Sequence, residues 1–459
     1  MNKLTFAFCV LALMNWSQPQ AIGQAGVSSG SYGAARAGFS RVDNFGNYRM
    51  PEPSFFRVEE FVNYHRHNLP LPSKGKKVHL DVQNLKLENG KAVYQFGITT
   101  PRALTNQKLP PLNLVLVIDE SGSMNGEKIT NLKSALKTIV ERFRPSDRIS
   151  IVGFEGTARV ICKAQEKTNI NRITRAIDNI HAGGSTNLHA GLMCGYEMAL
   201  EHFDPERTNR MIFLTDGNAN VGVTESEEIA KASKRCKKKG ISLVTIGLGV
   251  DMNNGLLREI ADAGRGVMHY VGDAKDIKKT FTKEFDSILA PAARKVRLNI
   301  NFTGTKKAPK LFGYEKDCEI ETTDQGHRIS LRLDDLNCGA TQVVMARLSG
   351  VAENQVSATA SLTYTDAVSN KKVTTKGNSQ ELDEDSDLQH SSIKRNYAIA
   401  LVAKSMHSAA HASNDQSNEQ AARLIKKGIQ KATSIVSQRN DKNLKRIIKI
   451  AEDYRENLQ

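Results

Sequence analysis

Oxygen-bearing side chains cluster in three short loops of this sequence. The loops are Asp119-Glu120-Ser121-Gly122-Ser123, Gly183-Gly184-Ser185-Thr186-Asn187 and Thr215-Asp216-Gly217. Hydroxyl and carboxylate oxygens suit a hard, six-coordinate divalent ion such as Mg²⁺, which keeps several of its waters. The glycines let the backbone approach closely at the turns. Together the loops predict a magnesium site, provided that the fold brings them to one place.

The elements that must position these loops alternate between buried strand and amphipathic helix over residues 109–290. Such alternation indicates a doubly wound, mostly parallel sheet, in which ligands gather at the carboxyl ends of the strands. The predicted strands are Leu112–Ile118, Ile149–Phe154, Ala158–Cys162, Met211–Leu214, Ile241–Gly247 and Val267–Val271, with helices near 128–143, 188–202, 226–239, 254–263 and 274–289. The strands 149–154 and 158–162 are joined by only three residues, so they are predicted to form an antiparallel edge hairpin.

In order and spacing, the oxygen donors resemble the metal-ion-dependent adhesion site of von Willebrand factor type A (VWA) domains. That site combines D-x-S-x-S, a Thr in a Gly-rich loop, and T-D-G after a later strand, matched here by Asp119, Ser121, Ser123, Thr186 and Asp216. The resemblance implies that the three hydroxyls bind the ion directly and that the two carboxylates act mainly through coordinated waters. It also implies Mg²⁺, or alternatively Mn²⁺ or Ca²⁺, as the cofactor. The competing interpretation is a set of capping and turn residues without a metal.

The resemblance covers roughly residues 40–459. The runs 58–64, 214–223 and 311–315 are similar to those of a bacterial secreted family, which carries a VWA domain between an N-terminal conserved segment and a C-terminal β and helical region. Strand alternation predicts that Glu120 points away from the ion.

Strands of period-two hydrophobicity flank the α/β region on both sides. Those in 76–105 are too few to be stable alone, so they are predicted to pair with those in 292–366 as one β-sandwich that the VWA domain interrupts. Three amphipathic runs follow and predict helices that pack on the protein rather than lie on a membrane. The predicted division is a signal peptide (1–23), a flexible linker (24–50), a helix and hairpin segment (51–108), the VWA domain (109–290), the β-sandwich region (291–370), an acidic linker (371–388) and a helical region (389–459).

The N-terminus predicts export. Lys3 precedes the apolar run Leu4–Trp16, and small residues follow at Ala21 and Gly23, as in a cleaved secretory signal. A buried helix or a short membrane anchor is the alternative, although the apolar run is short for a bilayer. The mature protein is therefore expected to be secreted or periplasmic, with no transmembrane segment. In an oxidising compartment, Cys318 and Cys338 are the predicted disulfide.

Charge and missing motifs restrict the function further. The chain has 64 Lys and Arg against 49 Asp and Glu, a net charge of +15, which suits an anionic envelope surface or an acidic partner. Export and the absence of a recognition motif argue against nucleic acid. No P-loop, strand-linked G-x-G-x-x-G or G-x-S-x-G elbow between a predicted strand and a predicted helix is present. Ser121 stands two positions after Asp119, where phosphohydrolases with an aspartate nucleophile have an acid. His65 and His67 have no third metal ligand nearby in the sequence.

The predicted function is therefore an exported, non-enzymatic module that captures an acidic side chain of a protein partner through Mg²⁺, in adhesion or envelope assembly. The alternative is a structural envelope scaffold whose basic helices bind an anionic surface polymer, with metal serving only to stabilise the fold.

Overall fold

The structure, a computed structural model, describes residues 50–87, 90–101, 110–166, 169–217, 219–249, 253–264, 266, 268–271, 291–315, 318–350, 357–381, 387–415, 417–436 and 441–459. The predicted signal peptide, the linker before Met50 and the predicted helix 274–289 lie outside these residues. Among the described residues, no helix combines the length and the apolar character that crossing a membrane requires.

The α/β region contains a six-stranded sheet with helices on both faces. Before it come α1 (Val58–Asn63), β1 (His79–Leu87) and β2 (Lys91–Thr99). The region itself comprises β3 (Leu112–Asp119), α2 (Glu127–Arg142), β4 (Arg148–Phe154), β5 (Ala158–Glu166), α3 (Ile170–Asp178), α4 (Leu188–Glu201), β6 (Thr208–Thr215), α5 (Ser226–Lys239), β7 (Ser242–Leu248), α6 (Asn254–Ala263) and β8 (Met268–Val271). The strand order is β5-β4-β3-β6-β7-β8.

The predicted topology of this sheet is confirmed. All neighbouring strands are parallel except β4 and β5, which form the expected antiparallel edge hairpin. Every residue of β3 is buried. Leu116 belongs to the core on one face of the sheet and Val117 to the core on the other, because successive side chains of a strand point to opposite faces. The short helix α3 was not predicted.

The remaining strands form one hydrogen-bonded path that folds over a common core. They are β9 (Pro291–Thr303), β10 (Lys310–Leu311), β11 (Cys318–Thr323), β12 (Gly326–Arg332), β13 (Leu336–Asn337), β14 (Thr341–Ser349), β15 (Ser357–Asp366) and β16 (Lys372–Glu381). The order is β10-β14-β2-β1-β16-β15-β9-β12-β11, with β13 on β9. The ring of Phe302 on β9 packs edge-on against Tyr94 on β2, with 5.1 Å between ring centroids. Strands from both sides of the α/β region therefore share one core, as predicted.

Two expectations for this part are wrong. The acidic linker was predicted to begin at residue 371, yet 372–381 form β16, whose Val373 and Thr375 have the period-two spacing of a strand. β16 pairs with β15 and, in parallel, with β1.

The second wrong expectation is the disulfide between Cys318 and Cys338. Cys318 lies opposite Leu331, which pairs with Leu298, whereas Asn337 pairs with Pro291 near the other end of β9. Seven positions along a strand correspond to roughly 20 Å, far beyond the ~7 Å that a disulfide allows between Cα atoms.

The C-terminal region contains three helices, of which the first packs on the outer face of β1, β2 and β14 and against α1, while the other two pack against the first. They are α7 (Asp387–Asn414), α8 (Asn418–Ile435) and α9 (Lys442–Asn457). The ring of Phe56 packs edge-on against Tyr454, and that of Phe312 against Tyr397. These helices share one hydrophobic core with the N-terminal segment. The predicted helical stripes are thus core stripes.

Stability is expected to fall in acid because of His65, which lies between α1 and the C-terminal helices. Neither of its ring nitrogens has a hydrogen-bond partner among the described residues. Burial, with a smaller contribution from Arg395, lowers the pKa of His65 to about 3. The unfolded chain therefore binds a proton below pH ~6.5 that the folded chain does not, and stability is lost as the pH falls below that value.

From pH 7.5 to 5.5 this histidine should cost about 1.4 kcal/mol of stability. Urea unfolding of wild type and His65→Gln at both pH values isolates this contribution, because every other titrating group is common to both proteins. An equal change with pH in both proteins would contradict the assignment.

Candidate metal centre

The first and third oxygen-rich loops meet at the carboxyl ends of β3 and β6, two neighbouring parallel strands. The Ser123 hydroxyl donates to Asp216 Oδ1 over 2.7 Å. The Ser121 and Ser123 hydroxyl oxygens lie 3.1 Å apart. Ser121 and Asp216 are buried, whereas Ser123 is exposed and forms the outer edge of the cluster.

Asp119 lies at the bottom of this cluster, fully buried at the end of β3. Its carboxylate accepts hydrogen bonds from the backbone N–H of Ser121 over 2.8 Å and from the Thr215 hydroxyl. Burial raises the pKa of Asp119. Both of these donors are neutral, so they leave the charge of the carboxylate uncompensated. A buried carboxylate in such a setting is stabilised by a cation.

The second loop brings Thr186 to the same place. Its backbone N–H donates to the Asn220 side chain over 2.7 Å, and the Gly122 N–H donates to Gly184 O over 3.1 Å. A Cβ placed on Gly217 would lie 3.4 Å from Thr186 Oγ1 and 3.7 Å from Asp119 Oδ2. Both distances are ordinary van der Waals contacts, so the Thr186 hydroxyl and the Asp119 carboxylate both lie beside Gly217.

Glu120 points away from the cluster, as strand alternation predicts. One of its carboxylate oxygens accepts a hydrogen bond from Arg159 over 2.7 Å. The other would collide with any Cβ on Gly153 of the neighbouring strand β4. Glu120 thus has a structural partner and does not contribute to the oxygen cluster.

Lys128 is a residue of the site that the sequence analysis missed. Its ammonium forms an ion pair with Asp216 Oδ2 and donates to Ser123 O over 3.2 Å. A cation in the first turn of a helix opposes the helix dipole, and this was the signal that could have identified it. Lys128 lies in the first turn of α2. Its charge is balanced by Asp216 instead.

The five predicted residues therefore lie together and offer two carboxylates and three hydroxyls. Within the described ranges, no group of three or more His, Cys, Asp or Glu side chains is placed to hold a metal. Any ion at this site must use hydroxyl and water oxygens beside the two carboxylates. That donor set fits Mg²⁺ and does not suit a soft metal.

Comparison with known proteins agrees with this architecture. The sequence profile of the von Willebrand factor type A domain matches residues 113–283. The uncharacterized protein YfbK of Escherichia coli (strain K12) is 33% identical over 214 residues, which cover 46% of this chain and 37% of YfbK. Inter-alpha-trypsin inhibitor heavy chain H2 of Mesocricetus auratus is 28% identical over 226 residues, which cover 48% of this chain and 23% of that protein. This chain thus spans well under half the length of these relatives.

A solved structure shares the fold over a longer stretch. The von Willebrand factor type A protein from Catenulispora acidiphila aligns with a TM-score of 0.53 and 16% identity, covering 80% of this chain and 92% of that one. The shared fold therefore extends beyond the α/β sheet into the flanking strands and helices. The sheet topology, the sequence profile and these relatives agree that residues 113–283 of this chain form a von Willebrand factor type A domain.

Proposed function

We propose that this protein is an exported, non-enzymatic module that captures an acidic side chain of a protein partner through a divalent ion, in adhesion or envelope assembly. VWA domains mediate protein–protein interactions. The observation that carries the proposal is the convergence of Asp119, Ser121, Ser123, Thr186 and Asp216 at one edge of the sheet. The export signal predicted in residues 1–23 supports a secreted or periplasmic location.

The residues divide into two roles. Ser121, Ser123 and Thr186 would bind Mg²⁺ directly, and Asp119 and Asp216 would hold its coordinated waters. Mn²⁺ or Ca²⁺ would satisfy the same oxygen donors. With few formal charges among its ligands, the bound ion remains electrophilic and attracts a carboxylate of the partner. Exposed Ser123 marks the side from which that carboxylate would approach.

The ammonium of Lys128 competes with the ion for the carboxylate of Asp216. The ammonium neutralises Asp216, a buried carboxylate whose charge also acts on Asp119. A divalent ion that uses Asp216 must draw this carboxylate away from Lys128, since the ammonium and the ion repel each other. The lysine would therefore weaken metal binding while stabilising the metal-free protein.

Chelation tests the proposal directly. Envelope extract is passed over the immobilised full chain in Mg²⁺, in EDTA, and in EDTA followed by excess Mg²⁺. The partner is expected to be retained only in the first and third conditions, because only these supply the ion. A partner retained equally in EDTA would show that binding does not use the metal.

A further inference from the structure

A second charged region lies far along the chain from the oxygen cluster, where the C-terminal helices cover the edge of the β-sandwich. Five cations from four elements line a cleft of about 200 Å³, which we call the basic cleft. They are Lys310 on β10, Arg347 on β14, Lys404 on α7, and Lys427 and Lys431 on α8. The elements come from distant parts of the sequence, so the fold itself concentrates these charges.

Like charges are placed next to each other in the basic cleft. Lys310 and Arg347 are direct cross-strand partners in the antiparallel β10–β14 pair. Lys427 and Lys431 are four residues apart on α8 and therefore occupy one face of that helix. Both arrangements are destabilising for charges of the same sign.

Lys404 experiences this crowding most directly. Burial and the adjacent Lys310 together lower the pKa of Lys404 to about 8, with Arg347 adding to the effect. Its ammonium lies 5.9 Å from the centre of the Phe312 ring. Glu315 is the acidic group that acts on Lys404 in the opposite direction.

No carboxylate among the described residues forms an ion pair with any of the five cations. Arg347 Nε is buried and has no hydrogen-bond partner within the described ranges. The hydroxyls of Ser405 and Ser408 also line the cleft, and that of Ser405 already donates to Val402 O over 2.7 Å. The basic cleft thus offers the buried Arg347 Nε as an unused donor, and it carries five positive charges with Glu315 as the carboxylate that acts on Lys404.

We propose that the basic cleft binds a phosphate-bearing ligand. A phosphate group carries more charge than a carboxylate and presents several strong acceptor oxygens, so it can be shared by lysines on different elements. Lys427 and Lys431 are about 6 Å apart along the helix axis. This spacing allows contact with two successive phosphate groups, so both free phosphate and a phosphodiester polymer present the required chemistry. The site is independent of the metal centre and adds a second binding activity to the proposed function.

Titration calorimetry on the full chain tests this in EDTA and at constant ionic strength set with NaCl. The probes are inorganic phosphate, tripolyphosphate and poly(glycerol phosphate), with polyglutamate as a carboxylate polymer of similar charge. Lys404→Gln and Arg347→Gln are each expected to weaken phosphate-probe binding at least tenfold. Lys426→Gln removes the same charge from an exposed position of α8 that does not line the cleft, and it should change affinity less than twofold.

Thermal unfolding without ligand shows whether each variant is still folded, so that a loss of binding can be separated from a loss of structure. Lys404→Gln should be at least as stable as wild type, because it relieves repulsion; if it unfolds, exposed Lys427→Gln takes its place. Binding of the polymer alone would identify a phosphodiester chain as the source of phosphate, and binding of inorganic phosphate as well would identify a single phosphate subsite. The proposal is overturned if wild type binds no phosphate probe, if polyglutamate binds equally well, or if Lys426→Gln causes the same loss as Lys404→Gln.

Discussion

Asp119→Ala is expected to lower the affinity for Mg²⁺ about 100-fold or more and to abolish partner capture, while the chain remains folded. Asp119 supplies one of only two carboxylates in the oxygen cluster, so its loss removes half of the negative charge available to the ion. The substitution also leaves the Ser121 N–H and the Thr215 hydroxyl without their acceptor, which costs about 1–3 kcal/mol. Relief of a buried, uncompensated charge offsets part of that cost.

Calorimetry with Mg²⁺ and Mn²⁺, run beside thermal unfolding, measures both effects. Glu120→Gln is the matched control, because it changes the adjacent carboxylate, which faces Arg159, and should leave metal affinity within a few-fold of wild type. Ser123→Ala should have a milder effect than Asp119→Ala, since water can replace a neutral ligand. Unchanged metal binding by Asp119→Ala would refute the site assignment. Unfolding of that variant would make Asp119 a structural residue.

Glu60→Ala is expected to destabilise the protein by about 3–5 kcal/mol. Glu60 on α1 is buried and forms an ion pair with Arg258 on α6, whose side chain is also nearly inaccessible. Removing the carboxylate leaves the guanidinium of Arg258 buried without its partner. His269 already experiences this positive charge, because burial and the nearby Arg210 and Arg258 lower its pKa to about 4. The variant should also weaken attachment of the N-terminal segment to the VWA domain.

Urea unfolding with a double-mutant cycle measures the effect. Glu60→Leu combined with Arg258→Met should recover most of the lost stability, because well-packed apolar residues can replace a buried ion pair. Glu321→Ala breaks an exposed pair with Arg328 and should cost less than about 1 kcal/mol. If Glu60→Ala is no more destabilising than Glu321→Ala, the buried pair does not hold the two parts together.

The α/β domain was the part of the fold most accessible from sequence. Continuous apolar runs such as Leu112–Ile118 have few alternatives to a central parallel strand, and the three-residue link after Phe154 leaves room only for a hairpin. The short helix α3 was missed although Ile170, Ile173 and Ile177 have helical spacing, because nine residues are few for a periodic signal. β16 was missed because the acidic run after it dominated the composition of the segment.

The candidate site was predicted residue by residue, but its electrostatic environment was not. Asp119, Ser121 and Asp216 belong to loops at strand ends, whose positions follow from the topology of the sheet. Lys128 reaches Asp216 from the first turn of α2, and a contact of this kind depends on side-chain length and helix orientation. The predicted disulfide between Cys318 and Cys338 was wrong for a related reason. Strand register decides which residues meet, and it cannot be inferred from the separation of two cysteines along the chain.

The parallel pairing of β1 with β16 has a consequence for the order of folding. Val82 lies opposite Ser379, so β1 finds this neighbour only after the whole VWA domain and nearly all of the later strands have been made. The β1–β2 hairpin precedes the VWA domain, and its two edges stay exposed until β14 pairs with β2 and β16 pairs with β1. Two strands alone are marginally stable. Contacts between such distant residues close slowly, whereas the VWA sheet can assemble from strands that are close in sequence. Completion of the β-sandwich should therefore be the slow phase of refolding, and the waiting hairpin the segment most exposed to aggregation or chaperone binding during synthesis.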